Sequence, residues 1–332
     1  MQSAKEPNFT ELVVVPDNIV WYIPFESLCV IDTDKKPRPF LAVNDGKWTL
    51  RYAPTASLGI PTKQGHGVNV ETVVVAGKLF PKDDSQKSLT KAKEMNREIP
   101  NLSILPSQKV PNKDTLFASQ LKQLVVFGDI PTLGKIGSLA WNPFGADAKL
   151  SSGIASWLEL PWGGPRLIVL PGFHTHAESA IKTGNGSEIF FSILAMQASG
   201  AHTILLSRWN QGGTTSYDLV GEFLRNYQEK PASKAWQDAV MSVASRSIKF
   251  DEEPRIKTVA NEEPLKANHP FFWSGFLLVD QGELSVEEDQ PIPAAPENAE
   301  DEDDDTEVSY EELKKEFGDS IEEKSAEEPK RE

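Results

Sequence analysis

A single cysteine in 332 residues excludes an intramolecular disulfide and any cysteine-rich metal module. The lone thiol, Cys29, suits a reducing compartment, so a cytoplasmic protein is the expectation. Long apolar runs are also missing: the longest are of strand length, far short of the roughly 18 residues that cross a bilayer. The start, MQSAKEPNFTELVVV, has no basic segment leading into an apolar one, as an export signal would. We expect no membrane association. There is no basic excess either. The net charge of −15 is concentrated at one end: residues 283–332 hold 21 acidic and five basic side chains, a net of −16, and the rest holds 28 against 29. Without an arginine-rich helix or interleaved aromatic and basic residues, the body lacks the electrostatic footprint of a nucleic-acid binder.

What is present is a rhythm of apolar runs. ELVVVPDNIVWYIPFESL reads as two short strands around the turn-forming Pro16, Asp17 and Asn18, an N-terminal β-hairpin. KWTLRYAPT alternates like a half-buried strand. From VETVVVAG onward the runs are nearly continuous, as in strands covered on both faces. LSIL, LVVF, PRLIVLPG and AHTILLS follow, with helical stretches at 86–99, near Asp114 and at SEIFFSILAMQASG, where Ser187 is the expected cap and Gly200 the expected stop. Two more helices, TTSYDLVGEFLRNYQ and ASKAWQDAVMSVASRSI, precede a last strand, WSGFLLV. Alternating strands and helices predict an α/β fold, a mostly parallel sheet flanked by helices. The divisions expected are an N-terminal hairpin region, 1–60, an α/β body, 61–282, and an acidic tail, 283–332, too poor in apolar residues to fold alone. One transient helix is expected in that tail at SYEELKKEFG.

LPGFHTHAES, residues 170–179, carries the first chemical candidates. His174 and His176 would project to one side of an extended segment, and with Glu178 they form a workable zinc or iron ligand set. PGFHTH is similar in part to the strand end that delivers the first ligands in metal-dependent amidohydrolases. It lacks that family's aspartate, and it lies too late for a (β/α)8 barrel of about 250 residues to follow. His66, His202 and His269 make no second ligand set, so the expectation is no metal and no cofactor. A hydrolase could instead pair His174 with a serine such as Ser151 or Ser179, although no spacing selects the nucleophile.

The order of segments resembles the CHAT domains, caspase-like modules of the cysteine-peptidase clan. The opening LVVVPDNIVWYIPFESL is similar to that family's N-terminal hairpin, and VVVAGKLFPKDDSQKSLTKAKEMNREI to its first parallel strand and helix. GSEIFFSILAMQASGAHTILLSRWNQGGTTSYDLVGEFLRNY resembles its helix, strand to tryptophan and long helix, and NHPFFWSGFLLV its closing strand. The resemblance implies a caspase-like fold. It also implies a catalytic histidine after one strand and a catalytic cysteine after the next. Phe173 stands where the cysteine belongs, and Ile130, to within a residue, where the histidine belongs. Neither side chain can act as a nucleophile or move a proton. Cys29 lies far off and is expected to be a small buried hydrophobe.

The expected function is therefore a catalytically degenerate module acting in protein binding or scaffolding. The expected partner is a protein, repeat-containing or itself an active peptidase. The alternative is an active hydrolase, through a relocated nucleophile or through metal at His174 and His176.

Overall fold

The computed structural model describes residues 9–31, 35–41, 48–62, 70–80, 83, 85–106, 122–130, 165–178, 184–256 and 266–283. The expected helix near Asp114, Ser151, Ser179 and the acidic tail beyond Glu283 lie outside these residues. Residues 1–285 make one compact unit, and 286–332 a second. Within the first, the strands are β1 (Glu11–Val14), β2 (Cys29–Ile31), β3 (Pro37–Pro39), β4 (Thr49–Tyr52), β5 (Thr72–Ala76), β6 (Leu102–Pro106), β7 (Gln123–Phe127), β8 (Leu167–Leu170), β9 (Thr203–Ser207) and β10 (Phe276–Asp280). The helices are α1 (Ser85–Asn96), α2 (Ser187–Ala198), α3 (Gly213–Tyr227) and α4 (Ala232–Ala244).

Eight strands form one sheet in the order β1, β4, β10, β9, β8, β7, β5, β6. Only the β9–β10 pair is antiparallel; every other neighbouring pair is parallel. The runs read as doubly covered strands behave so: β5, β7, β8, β9 and β10 are buried at every residue. Connections reverse direction between β5 and β7. From β5 the chain steps outward to β6, then returns and steps the other way through β7, β8 and β9. Right-handed crossovers therefore put α1 and α2 on opposite faces. On the α1 face, α3 buries Leu219, Phe223 and Tyr227 at the predicted four-residue spacing. Phe223 meets Trp236 of α4 with ring centroids 6.1 Å apart, and Trp236 meets Phe276 of β10 at 5.3 Å.

Three local expectations are corrected. Residues 18–22 form a 3₁₀ turn rather than a second strand, with Val20 N–H donating to the Asp17 carbonyl at 3.0 Å. The turn lets Trp21 enter the core, only 1 % exposed. β1 then finds its partner in β4, parallel, from Glu11↔Thr49 to Val14↔Tyr52. The N-terminal region does hold an antiparallel hairpin, formed by β2 with β3. β4 is buried from Leu50 to Tyr52, not half-buried, because α4 and neighbouring strands cover it and Arg51 is fully paired. Arg51 donates to Glu11 Oε2 (2.8 Å), the Asp280 carbonyl (2.7 Å) and the Gly59 carbonyl (2.8 Å). Ser187 is the first residue of α2 rather than its cap. The cap position is Gly186, at φ 75°, where a Cβ would lie 2.3 Å from the Asn18 carbonyl oxygen. Gly200, at φ 106°, ends the helix region as expected.

The N-terminal segments are tied to the sheet by a buried ion pair. Arg208, fully buried just after β9, donates to Glu26 Oε1 at 2.7 Å and to the Trp21 carbonyl at 3.1 Å. It also donates to the Ser274 and Phe276 carbonyls and lies 4.9 Å from the centre of the Tyr52 ring. Tyr52 donates its hydroxyl proton to Glu26, and burial together with the Glu26 charge pushes its pKa up, so it stays protonated. Nη2 reaches Glu26 Oε2 at 3.4 Å, so each nitrogen of Arg208 faces an acceptor, the condition under which a buried charge is tolerated. Arg208→Met alone should destabilise the protein by about 3–5 kcal/mol in urea unfolding. Adding Glu26→Leu should restore part of that loss, because the second change removes the stranded carboxylate.

Candidate functional site

In an open α/β sheet, sites form at the carboxyl ends of parallel strands where the connections reverse. Here that position lies between β5 and β7, with β8 and β9 alongside. β7 runs into Gly128, Asp129 and Ile130, and β8 into Pro171, Gly172 and Phe173. The two exits touch. A Cβ on Gly172 would lie 1.9 Å from the Gly128 carbonyl oxygen, so only glycine permits the approach. Ile130 N–H donates to the Gly172 carbonyl (2.8 Å) and His174 N–H to the Ile130 carbonyl (3.0 Å), making Ile130 and Phe173 parallel bridge partners. The two positions that the CHAT resemblance assigns to histidine and cysteine are therefore neighbours in register. Their side chains are buried, Ile130 7 % exposed and Phe173 0 %.

Beside them sits a polar cluster centred on His174. Its Nε2 contacts Asp129 Oδ1, and its Nδ1 lies 3.1 Å from Glu178 Oε2. Glu178 also accepts from Asn210 N–H (2.6 Å) and from Arg255 Nη2 (2.5 Å). The Asn210 side chain donates to the Leu79 carbonyl (2.6 Å) and to Asp129 Oδ1 (3.2 Å), while its Oδ1 accepts from Gly212 N–H (2.9 Å). Burial alone would lower the His174 pKa, but hydrogen bonds to Asp129 and Glu178 outweigh it and raise the value to about 9. Burial would likewise raise Glu178, yet His174, Asn210 N–H and Arg255 bring it below its ordinary value. At neutral pH His174 is an imidazolium held between two carboxylates. In that state it has no lone pair to take a proton or to bind a metal.

His176 goes elsewhere. Residues 176–178 form a 3₁₀ turn rather than an extended segment, and His176 faces the buried Glu188, Nδ1 to Oε2 3.6 Å. Glu188 Oε1 accepts from the Tyr22 hydroxyl (2.6 Å) and His176 N–H (2.9 Å). The two histidines thus serve different carboxylates. Among the described residues no group of three His, Cys, Asp or Glu side chains converges to hold a metal ion. His269 caps the 3₁₀ turn at Pro270, and His202 meets Thr62 Oγ1 at 3.1 Å on the opposite edge of the sheet. Cys29 is exposed on β2, not buried as expected, since the small β2–β3 sheet leaves that face uncovered. Reading the sequence missed Asp129, Asn210 and Arg255. Asp129 and Asn210 were marked only by being polar residues just past buried strands. Arg255 had no local signal.

Comparison with known families matches residues 141–281 to the CHAT domain. Comparison with curated proteins gives no match. No helix among the described residues is long and apolar enough to cross a membrane.

The His174 clamp sets a pH dependence. Because the folded value lies above the ordinary 6.5, its stabilisation is complete below about pH 6.5 and is lost as pH rises through about 9. The lowered Glu178 acts in the opposite sense, its contribution disappearing as pH falls below the ordinary carboxylate range. Against His174→Gln, the native protein should be more stable by about 1–3 kcal/mol near neutrality, allowing for partial solvent screening. Urea midpoints measured from pH 6 to pH 10 should show that gap narrowing, and an NMR titration should place the imidazole near 9.

Proposed function

We infer that this chain, which carries a CHAT domain of caspase-like α/β build, is a catalytically degenerate module that binds another protein. The observation that carries this reading is the pairing of Ile130 with Phe173. A cysteine peptidase needs a thiolate and an imidazole within hydrogen-bonding reach. The resemblance assigns those positions to Phe173 and, to within a residue, Ile130, which are register neighbours and buried. The nearest imidazole, His174, is charged and held by Asp129 and Glu178, so it makes a poor general base at neutral pH. Its clamp acts as a fastener: it links the exits of β7 and β8 to Asn210 after β9 and, through Glu178, to Arg255. Rigid strand ends of this kind suit a fixed recognition surface. A repeat-containing protein or an active peptidase is the partner we propose.

A fluorescent peptide library incubated with the untagged protein should show no turnover, and fluorophosphonate probes should not label it. Iodoacetamide should label only the exposed Cys29, and Cys29→Ser should abolish that labelling. Turnover that disappears in His174→Ala would overturn the reading. Affinity capture with and without residues 283–332 should recover the same partner if the folded body carries recognition, and should lose it if the acidic tail does.

A further inference from the structure

An edge strand presents a row of unpaired backbone N–H and C=O groups, and proteins usually blunt it with lysine, proline or a covering segment. β1 is such an edge, next to β4 and at the end of the sheet. The Thr10 and Val14 carbonyls turn inward, accepting from Thr49 N–H (2.9 Å) and Ala53 N–H (2.9 Å). Backbone groups alternate along a strand, so those of Glu11 and Val13 point away from the sheet, where no strand lies among the described residues. The side chains do not blunt this edge. In FTELVVV, residues 9–15, only Glu11 is charged, and it is already engaged: Oε2 accepts from Arg51 (2.8 Å) and Oε1 from Ser233 (2.8 Å). The apolar residues are open instead. Phe9 is 51 % exposed, Leu12 37 % and Val15 45 %. Ile60, also exposed, follows Gly59, where an added Cβ would lie 3.1 Å from Val13 Cγ1, so it extends the same apolar strip.

We propose that β1 pairs antiparallel with β1 of a second copy of this chain, about a two-fold axis through Leu12. The spacing of the exposed residues carries this choice. About that axis Glu11 of each copy stands opposite Val13 of the other, so the outward backbone groups of both residues meet as hydrogen-bonded pairs. Leu12 faces Leu12 in the closer, non-hydrogen-bonded pair, and Phe9 faces Val15, so the three exposed apolar side chains cover one another. The charges agree as well. Glu11 meets a valine, and Arg51 already neutralises it. Centring the pair on Glu11 would instead set two carboxylates face to face, and centring it on Val13 would set Phe9 against Asp17. The contact is isologous and closes on itself as a dimer, with one sheet continuous across both molecules. It involves neither Ile130 nor Phe173, so it does not rest on the binding-module reading.

The test is sedimentation velocity of the full-length protein from micromolar to submillimolar concentration. One short strand makes a small interface, so a concentration-dependent monomer–dimer equilibrium is the expected result. Leu12→Lys sets two ammonium groups face to face on the axis and should weaken dimerisation by roughly tenfold or more. Disulfide trapping reads the register independently of that variant. In a Cys29→Ser background, Leu12→Cys should cross-link under mild oxidation, because a non-hydrogen-bonded pair holds its Cα atoms about 4.5 Å apart, within disulfide range. Thr10→Cys, on the same strand, should not, since its two copies would lie about 13 Å apart along the strands. A monomer at every concentration would overturn the proposal and leave the edge to an extended segment of a different protein. A dimer that Leu12→Lys leaves unchanged, or cross-linking equally efficient at positions 10 and 12, would overturn it too.

Discussion

The N-terminal third of the fold hangs on the pairing of Arg208 with Glu26. These residues are 182 positions apart, and both are buried. Burying a charged pair recovers its desolvation cost only when geometry is good and the remaining donors are met. That requirement recruits the carbonyls of Trp21, Ser274 and Phe276 as well as the Tyr52 hydroxyl network. Segments from four parts of the chain are thereby brought to one point just beyond β9. Arg51 repeats the device at the other edge, joining Glu11, Gly59 and Asp280. Apolar strands would slide past one another with little penalty. Two arginines with fully assigned partners give the eight-stranded sheet a single assembly.

Most of the sheet was legible in the sequence because its strands are doubly covered, and a doubly covered strand is a valine- and leucine-rich run wherever it occurs. Val73 to Ala76, Leu124 to Phe127 and Leu167 to Leu170 needed no tertiary information. The N-terminal region failed the same reading. There, Ile19, Val20, Trp21 and Tyr22 look like a strand, but the demand to bury Trp21 and to bring the Tyr22 hydroxyl to Glu188 selects a 3₁₀ turn. β4 failed for the opposite reason. Arg51 marks a solvent face in any local pattern, and nothing nearby reveals that Glu11 and two distant carbonyls await it.

The site was half legible. Phe173 and Ile130 were named from the family resemblance alone, and the structure makes them neighbours in register. His174 and His176 drew attention as ligands, and the structure gives each a carboxylate partner instead. The lesson is chemical. Two histidines one residue apart suggest a shared ion only while the chain is extended, and the turn at 176–178 separates them. Asn210, whose side chain bonds three backbone or side-chain partners across three loops, carries no motif at all.

The antiparallel placement of β10 has a practical corollary. β9 runs toward the edge that bears His174 and its partners, and β10 runs back from it, so Asp280 pairs with Thr203 at the far edge. Glu283, the last described residue, stays there, bridged to Thr62. Five strand residues at about 3.3 Å each put some 17 Å of sheet between the two edges. Glu283 therefore belongs to the end of the sheet that carries Thr62 and His202, not to the end that carries His174.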